Sequence, residues 1–306
     1  MKNRYAQMLE QARLHVAEGG LGKNDAYGTF PTDPIAVHLL YIKPELTPNE
    51  IYCGAYRRLK YSVVADYYGY PAWIVALHDA IFYGLPLAES LDWHIQIAET
   101  IVAYGERADW RKAFHRSHIG LLSMALEAIP STYVDRVAQR DAVRRVATLH
   151  EIALEGGTLS RTEWNEAAEV ASAQSYFITY PVNGLNHAGR EAARAAHCSA
   201  QWFSDEKDGL AHPEPERTLD AANCAACASA YVVRHGVEWS HTLPMLQAEW
   251  HPGESVLPFV ENVIAYEKAR SEEYHAAQSA YEAALVINYQ KIRDLTLSAI
   301  RDAASG

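Results

Sequence analysis

The sequence predicts an all-α fold: a multi-helix array or bundle of about ten helices around an alanine-rich packed core. Three observations carry this. Helix start and stop signals punctuate the chain, among them Thr47-Pro48-Asn49-Glu50, Ser160-x-x-Glu163, Gly19-Gly20 and Gly156-Gly157. Between them apolar residues recur at helical rather than alternating spacing, and strand signals are scarce. Alanine, the best helix former and one that lets backbones approach closely, concentrates in 160–203 and again in 218–234.

The stretch 160–203 anchors the reading. Ser160 and Glu163 form a capping-box pattern just before Trp164, and Ala167, Ala168, Ala171 and Ala173 follow. Pro181, Asn183 and Gly184 interrupt the helix. A second run carries Ala188, Ala192, Ala193, Ala195, Ala196 and Ala200 to Trp202-Phe203.

In chain order, the first helix spans Lys2 to Glu18. Residues 21–46 read mainly as loop, with Gly22, Gly28, Pro31, Pro34 and Pro44 around a short apolar piece, Ile35–Ile42. Thr47 caps a helix that carries Tyr52, Tyr56 and Tyr61 and fades before Gly69. Pro71 opens the next, which Gly84 and Pro86 close. Leu87–Tyr104 follows, with Leu91, Ile95, Ala98 and Val102 as its expected stripe. Trp110–Ile129 is stopped by Pro130, and Ser131 or Thr132 is expected to cap a helix to Glu155. Thr218–Arg234 is the third alanine-rich helix. A shorter piece lies among Pro244, Pro252 and Gly253, and Pro258–Ala303 closes the chain with a stripe at Leu285, Tyr289, Ile292, Leu295 and Ala299. The organisation reads as a helical region over 1–203 (loop-rich to 70, alanine-rich from 71), a loop or linker at 204–217, and a C-terminal helical part at 218–306 packed on the first.

The 306 residues are 49% hydrophobic, enough for a large core. A net charge of −11 makes the chain a poor candidate for nucleic-acid binding through phosphates. No apolar run is long enough to cross a membrane, the N-terminal segment reads as an amphipathic helix rather than a signal peptide, and four cysteines make no disulfide framework. A cytoplasmic protein with reduced thiols is expected.

Two segments carry a resemblance. Ala76-Leu77, Asp79-Ala80-Ile81-Phe82, Gly84-Leu85-Pro86 and Trp93 form the first; Val146-Ala147, Leu149, Glu163-Trp164, Ala167-Ala168 and the run to Trp202 form the second, with Tyr289-Gln290 and Leu295 near the end. Together they resemble a group of alanine-rich helical proteins of phages and bacteria, some described as immunity proteins. The resemblance covers under half of the chain, implies an all-helical fold and carries over no catalytic residue.

Candidate chemistry is sparse. His78-Asp79, at the end of an apolar run, resembles the metal-binding pair of HD-type phosphohydrolases, in which a divalent metal activates water against a phosphate ester. Such a site would need further histidines, with His38 upstream and His94, His115 and His118 downstream; His115 and His118 share a helical face. Against it, the approach to His38 is loop-rich, and a gathering of His78, Asp79, His115 and His118 is not expected. Glu238/His241 and Glu272/His275 have the Glu-x-x-His spacing of di-iron bundles but lie too close together in sequence, across several prolines. Cys224-x-x-Cys227 with His197-Cys198 has zinc or redox spacing, yet within an alanine-rich helix small buried thiols are the simpler reading. Arg57, Arg58 and Lys60 stand among tyrosines and could hold a phosphate or an acidic partner segment. The sequence therefore favours a non-enzymatic interaction protein, phage- or defence-associated by resemblance, that self-associates or binds a protein partner, with no cofactor, nucleic acid or membrane. The alternative is a metal-dependent HD-type phosphohydrolase using His78 and Asp79, with a divalent metal as its cofactor.

Overall fold

The computed structural model describes residues 2–22, 33–52, 56–129, 136–176, 184–204, 215–240 and 257–305. Among them are twelve α-helices and no strand: α1 (Lys2–Ala17), α2 (Pro34–Ile42), α3 (Pro48–Tyr52), α4 (Tyr56–Tyr68), α5 (Ala72–Gly84), α6 (Leu87–Tyr104), α7 (Trp110–Glu127), α8 (Val137–Leu154), α9 (Arg161–Ser175), α10 (Gly184–Ser204), α11 (Glu216–Ser240) and α12 (Leu257–Ser305).

Local chemistry sets most of these boundaries. The Ser160 hydroxyl accepts the Glu163 N–H at 3.3 Å while Glu163 Oε2 accepts the Ser160 N–H at 2.7 Å, a complete capping box. Asp109 caps α7 by accepting from the backbone of Arg111 and Lys112, both at 3.1 Å. Asp33 caps α2, with Pro34 at its first position. At the other ends, Gly69 and Gly156 take φ of 86° and 90°, left-handed values that close α4 and α8 without a Cβ penalty.

Several boundaries differ from expectation. The loop-rich stretch 21–46 contains α2. The single helix expected from Pro48 is described as two, α3 and α4, with residues 53–55 between them outside the described residues. Ser131 and Thr132 also lie outside them, and α8 begins at Val137. α11 continues through Gly236 to Ser240. The linker residues 205–214 and the piece at 241–256 fall outside the description. In α6 the buried stripe is rotated by about one residue: Trp93, His94, Ile97, Ala98 and Ile101 face inward and Val102 is exposed. Burying the Trp93 indole turns the helix, and its Nε1 donates to the His78 carbonyl at 3.1 Å.

The helices pack in two continuous parts. α10 lies between α9 and α11, with α7 and α8 across it. The contact is made by alanines: Ala171 of α9, Ala192, Ala195 and Ala196 of α10, and Ala221, Ala225 and Ala228 of α11 are all completely buried. Toward the N-terminus, α1, α2 and α4 close around α5 and α6, whose large side chains Trp93, Ile74, Leu77, Ile81 and Phe82 replace alanine as the filling. The C-terminal half of α12 spans both parts against α5, α6, α7 and α11. It meets α5 so closely that a Cβ on Gly84 would run into the Tyr289 ring. α11 and α12 run antiparallel, with Tyr289 donating to Asn223 at 2.7 Å, the Tyr231 and Tyr281 rings 4.8 Å apart, and Arg234 over Tyr274. No helix among the described residues is long and apolar enough to cross a membrane.

Candidate functional site

Buried histidines form two groups, and the sequence candidates divide between them. The first lies where α1, α2, α5 and α6 meet. His15 ends the Tyr5, Met8, Ala12 stripe of α1; His38, His78 and His94 project from the buried faces of α2, α5 and α6. The His94 ring lies 5.9 Å from His15, 5.3 Å from His38 and 5.1 Å from His78, centre to centre. One ring nitrogen from each of His15, His38 and His94 lies within 4.8 Å of the other two. Two of these rings are hydrogen-bonded through Nδ1: His38 Nδ1 with the Tyr68 hydroxyl at 3.0 Å, and His94 Nδ1 with His78 Nε2 at 3.1 Å. His94 Nε2 and His15 Nδ1 are buried without a hydrogen-bond partner. Burial pushes His15 down to about 4 and His78 to about 3, and with the neighbouring imidazoles it holds His38 and His94 well below the ordinary histidine range. All four rings are neutral near pH 7, so their bare nitrogens present lone pairs.

Asp79 takes no part in this group. Neighbouring residues of a helix point about 100° apart, so His78 faces α6 while Asp79 faces α4. Asp79 Oδ2 accepts from Lys60 Nζ at 2.9 Å and from the Tyr61 hydroxyl at 2.7 Å, and Lys60 also reaches Asp33 at 3.8 Å. Burial raises the Asp33 carboxyl and the Tyr61 phenol. Burial alone would lower the Lys60 ammonium, but Asp79 and Asp33 hold it above the lysine range. Lys60, a candidate for binding phosphate, is thus occupied by two carboxylates of its own chain. Arg57 and Arg58 lie in α4, and their side chains are outside the described set.

The second group contains His115 and His118 of α7 and His150 of α8, joined by Ser199 of α10 and Thr218 of α11. His115 Nδ1 lies 2.9 Å from His150 Nδ1, His150 Nε2 2.8 Å from Ser199 Oγ, Ser199 Oγ 2.7 Å from His118 Nδ1, and His118 Nε2 3.2 Å from Thr218 Oγ1. One proton assignment satisfies every link: Thr218 donates to His118, His118 to Ser199, Ser199 to His150 and His150 to His115. Phe114, Trp164 and Phe203 pack against these rings. Among the described residues no hydrogen bond or ring contact links the two groups.

The remaining motifs are quieter. Cys198 and Cys224 are buried and hydrogen-bonded to each other, Cys227 is half-buried beside Tyr281, and none of the three is in a disulfide. Glu272 and His275 are exposed; His241 and the Glu238 side chain lie outside the described residues. Sequence reasoning passed over His15, His150, Tyr68, Ser199 and Thr218. For the histidines a signal existed: His15 continues Met8 and Ala12, and His150 continues Val143, Val146 and Ala147, each at a core position of an apolar stripe. Compared with known protein families, with curated proteins and with solved structures, the chain finds no match.

Proposed function

We propose that the chain is a non-enzymatic, all-helical interaction protein whose contact element is the N-terminal half of α12. One observation carries this reading. Ile264, Lys268, Arg270, Ser271, Glu272, Tyr274, His275 and Ala276 are all exposed, with Ile264 62% and Tyr274 55% accessible, two large apolar side chains on the solvent side of α12. Exposed apolar surface gains free energy when it is taken out of water, and a partner that covered Ile264 and Tyr274 would supply that burial. The partner we favour is a second copy of the chain: in an antiparallel pair, Lys268 and Arg270 of one copy fall opposite Glu272 and Glu273 of the other. The HD-type phosphohydrolase reading has less support, because Asp79 is taken up by Lys60 and Tyr61, and His115 and His118 belong with His150. A defence-associated setting rests on the resemblance to the phage and bacterial group alone.

Sedimentation equilibrium tests the proposal. A concentration-dependent dimer is expected, weakened at least tenfold by Ile264→Glu with Tyr274→Glu while the far-ultraviolet spectrum is unchanged; tenfold corresponds to about 1.4 kcal/mol, modest for two buried side chains. A chain monomeric at all accessible concentrations, or a dimer indifferent to both changes, rules it out.

A further inference from the structure

We propose that His15, His38 and His94 are the ligands of one divalent first-row transition metal of the zinc class, held where α1, α2 and α6 meet. The site is separate from the exposed half of α12 and does not depend on the interaction reading.

The geometry argues this in three steps. First, the convergence is of the right size. Imidazole nitrogens bind zinc at about 2.0–2.1 Å, so three around one tetrahedral ion stand about 3.3 Å apart. The three nitrogens already lie within 4.8 Å of each other, and ring rotations close the difference. Second, the outer contacts are those of a metal site. A histidine ligand ordinarily donates its other N–H to a neighbouring acceptor, which fixes the tautomer and aims the bare nitrogen. Tyr68 plays that part for His38 and His78 for His94. His78 is therefore a positioning residue, holding the His94 ring from behind. Third, the cost of the arrangement without an ion is visible. His94 Nε2 and His15 Nδ1 are buried with no partner, and orphaned buried polar atoms are costly enough to be rare. One cation accounts for both. Three neutral nitrogen donors, with no carboxylate among them, suit zinc, cobalt, nickel or copper and not magnesium or calcium. His15, the only half-buried member, gives the ion its way in.

The second histidine group makes the contrast. Five of its six ring nitrogens are engaged with one another or with Ser199 and Thr218, and none of the six is a buried nitrogen lacking a partner.

The test is titration of the chelator-treated, full-length chain with zinc by calorimetry, and with cobalt by visible absorption. One equivalent is expected per chain, with the cobalt spectrum in the range of a four-coordinate site. His38→Ala and His94→Ala should weaken zinc binding at least 100-fold. Tyr68→Phe, which keeps the ring and removes only the hydroxyl behind His38, should weaken it about tenfold, and His118→Ala should leave it unchanged. Circular dichroism checks each fold. Should His38→Ala or His94→Ala fail to fold, His15→Ala at the edge of the core and Tyr68→Phe decide the matter alone. Absence of a stoichiometric site in the wild-type chain overturns the proposal. So does zinc binding that survives both His15→Ala and Tyr68→Phe undiminished.

Discussion

The two histidine groups are built from the same material and end in opposite states. Each draws on neighbouring helices, each places histidines on apolar stripes, and burial keeps each neutral. At His115, His118 and His150 two hydroxyls complete the pattern, so every link has a donor and an acceptor. At His15, His38 and His94 the polar neighbours are Tyr68, bonded to His38, and His78, bonded to His94, while His94 Nε2 and His15 Nδ1 are buried without a hydrogen-bond partner. The difference is the supply of hydroxyls. α10 and α11 bring Ser199 and Thr218 into the second group, whereas α1, α2 and α6 bring none between the rings of the first. A buried polar cluster that satisfies itself is architecture; one that leaves lone pairs converging is a socket.

The largest effect that would break this comparison is His150→Leu. It leaves His115 Nδ1 without its partner and removes the acceptor of the Ser199 hydroxyl, with about 1–3 kcal/mol lost for each buried group left unsatisfied. A total loss of about 2–4 kcal/mol is expected from urea unfolding, with zinc affinity untouched. A loss below about 1 kcal/mol would mean the chain of hydrogen bonds stabilises nothing. Next come the close packings on either side. Ala196→Leu, one turn before Ser199, and Gly84→Ala, against the Tyr289 ring, should each cost about 1–3 kcal/mol by overpacking. Unchanged melting temperatures for both would deny that α10 and α12 are the close contacts of the core.

The pH dependence sharpens the comparison further. A histidine whose folded pKa lies below its unfolded value of about 6.5 takes up its proton more readily in the unfolded state, so stability rises with pH there and is flat above. Burial holds His118 at about 3 and His115 at about 4, the latter with Arg111 also pushing down and Asp109 opposing. Stability is therefore complete above about pH 6.5 and falls from there toward pH 4, by on the order of 1 kcal/mol per pH unit for each such histidine. Unfolding measured between pH 4.5 and 7.5 should show a shallower slope in His118→Asn than in the wild type. An identical slope would place the titration elsewhere.

The sequence made the scaffold legible because helix signals are local. The Ser160–Glu163 box, the stops at Gly69 and Gly156 and the alanine runs of α9, α10 and α11 all act within a turn or two of themselves. The histidine groups depend on contacts between residues far apart, such as His118 with Thr218, one hundred positions away. Composition and spacing say nothing of which helix will face which. In the sequence His78 reads as half of a His-Asp pair, but adjacency in sequence separates the two around the helix: His78 joins His94, and Asp79 joins Lys60. The signal that was available, a histidine at a core position of an apolar stripe, names His15 and His150 individually and does not say that they belong to different groups.

The smallest expected effect is the most discriminating. His15→Leu in the metal-free protein replaces a ring with an orphaned buried nitrogen by an apolar side chain at the edge of the core. Removing an unsatisfied group to an apolar one of similar size is close to neutral, so stability should stay within about 1 kcal/mol of the wild type, in contrast to His150→Leu. Zinc reverses the picture. A ligand that binds only the folded chain adds about 2.7 kcal/mol at one hundred times its dissociation constant, and the wild type should gain that while His15→Leu gains little. Urea unfolding of both proteins, with and without zinc, separates the possibilities. If His15→Leu were as damaging as His150→Leu without metal, and zinc stabilised neither, His15 would be an ordinary packed side chain and the two groups would be alike.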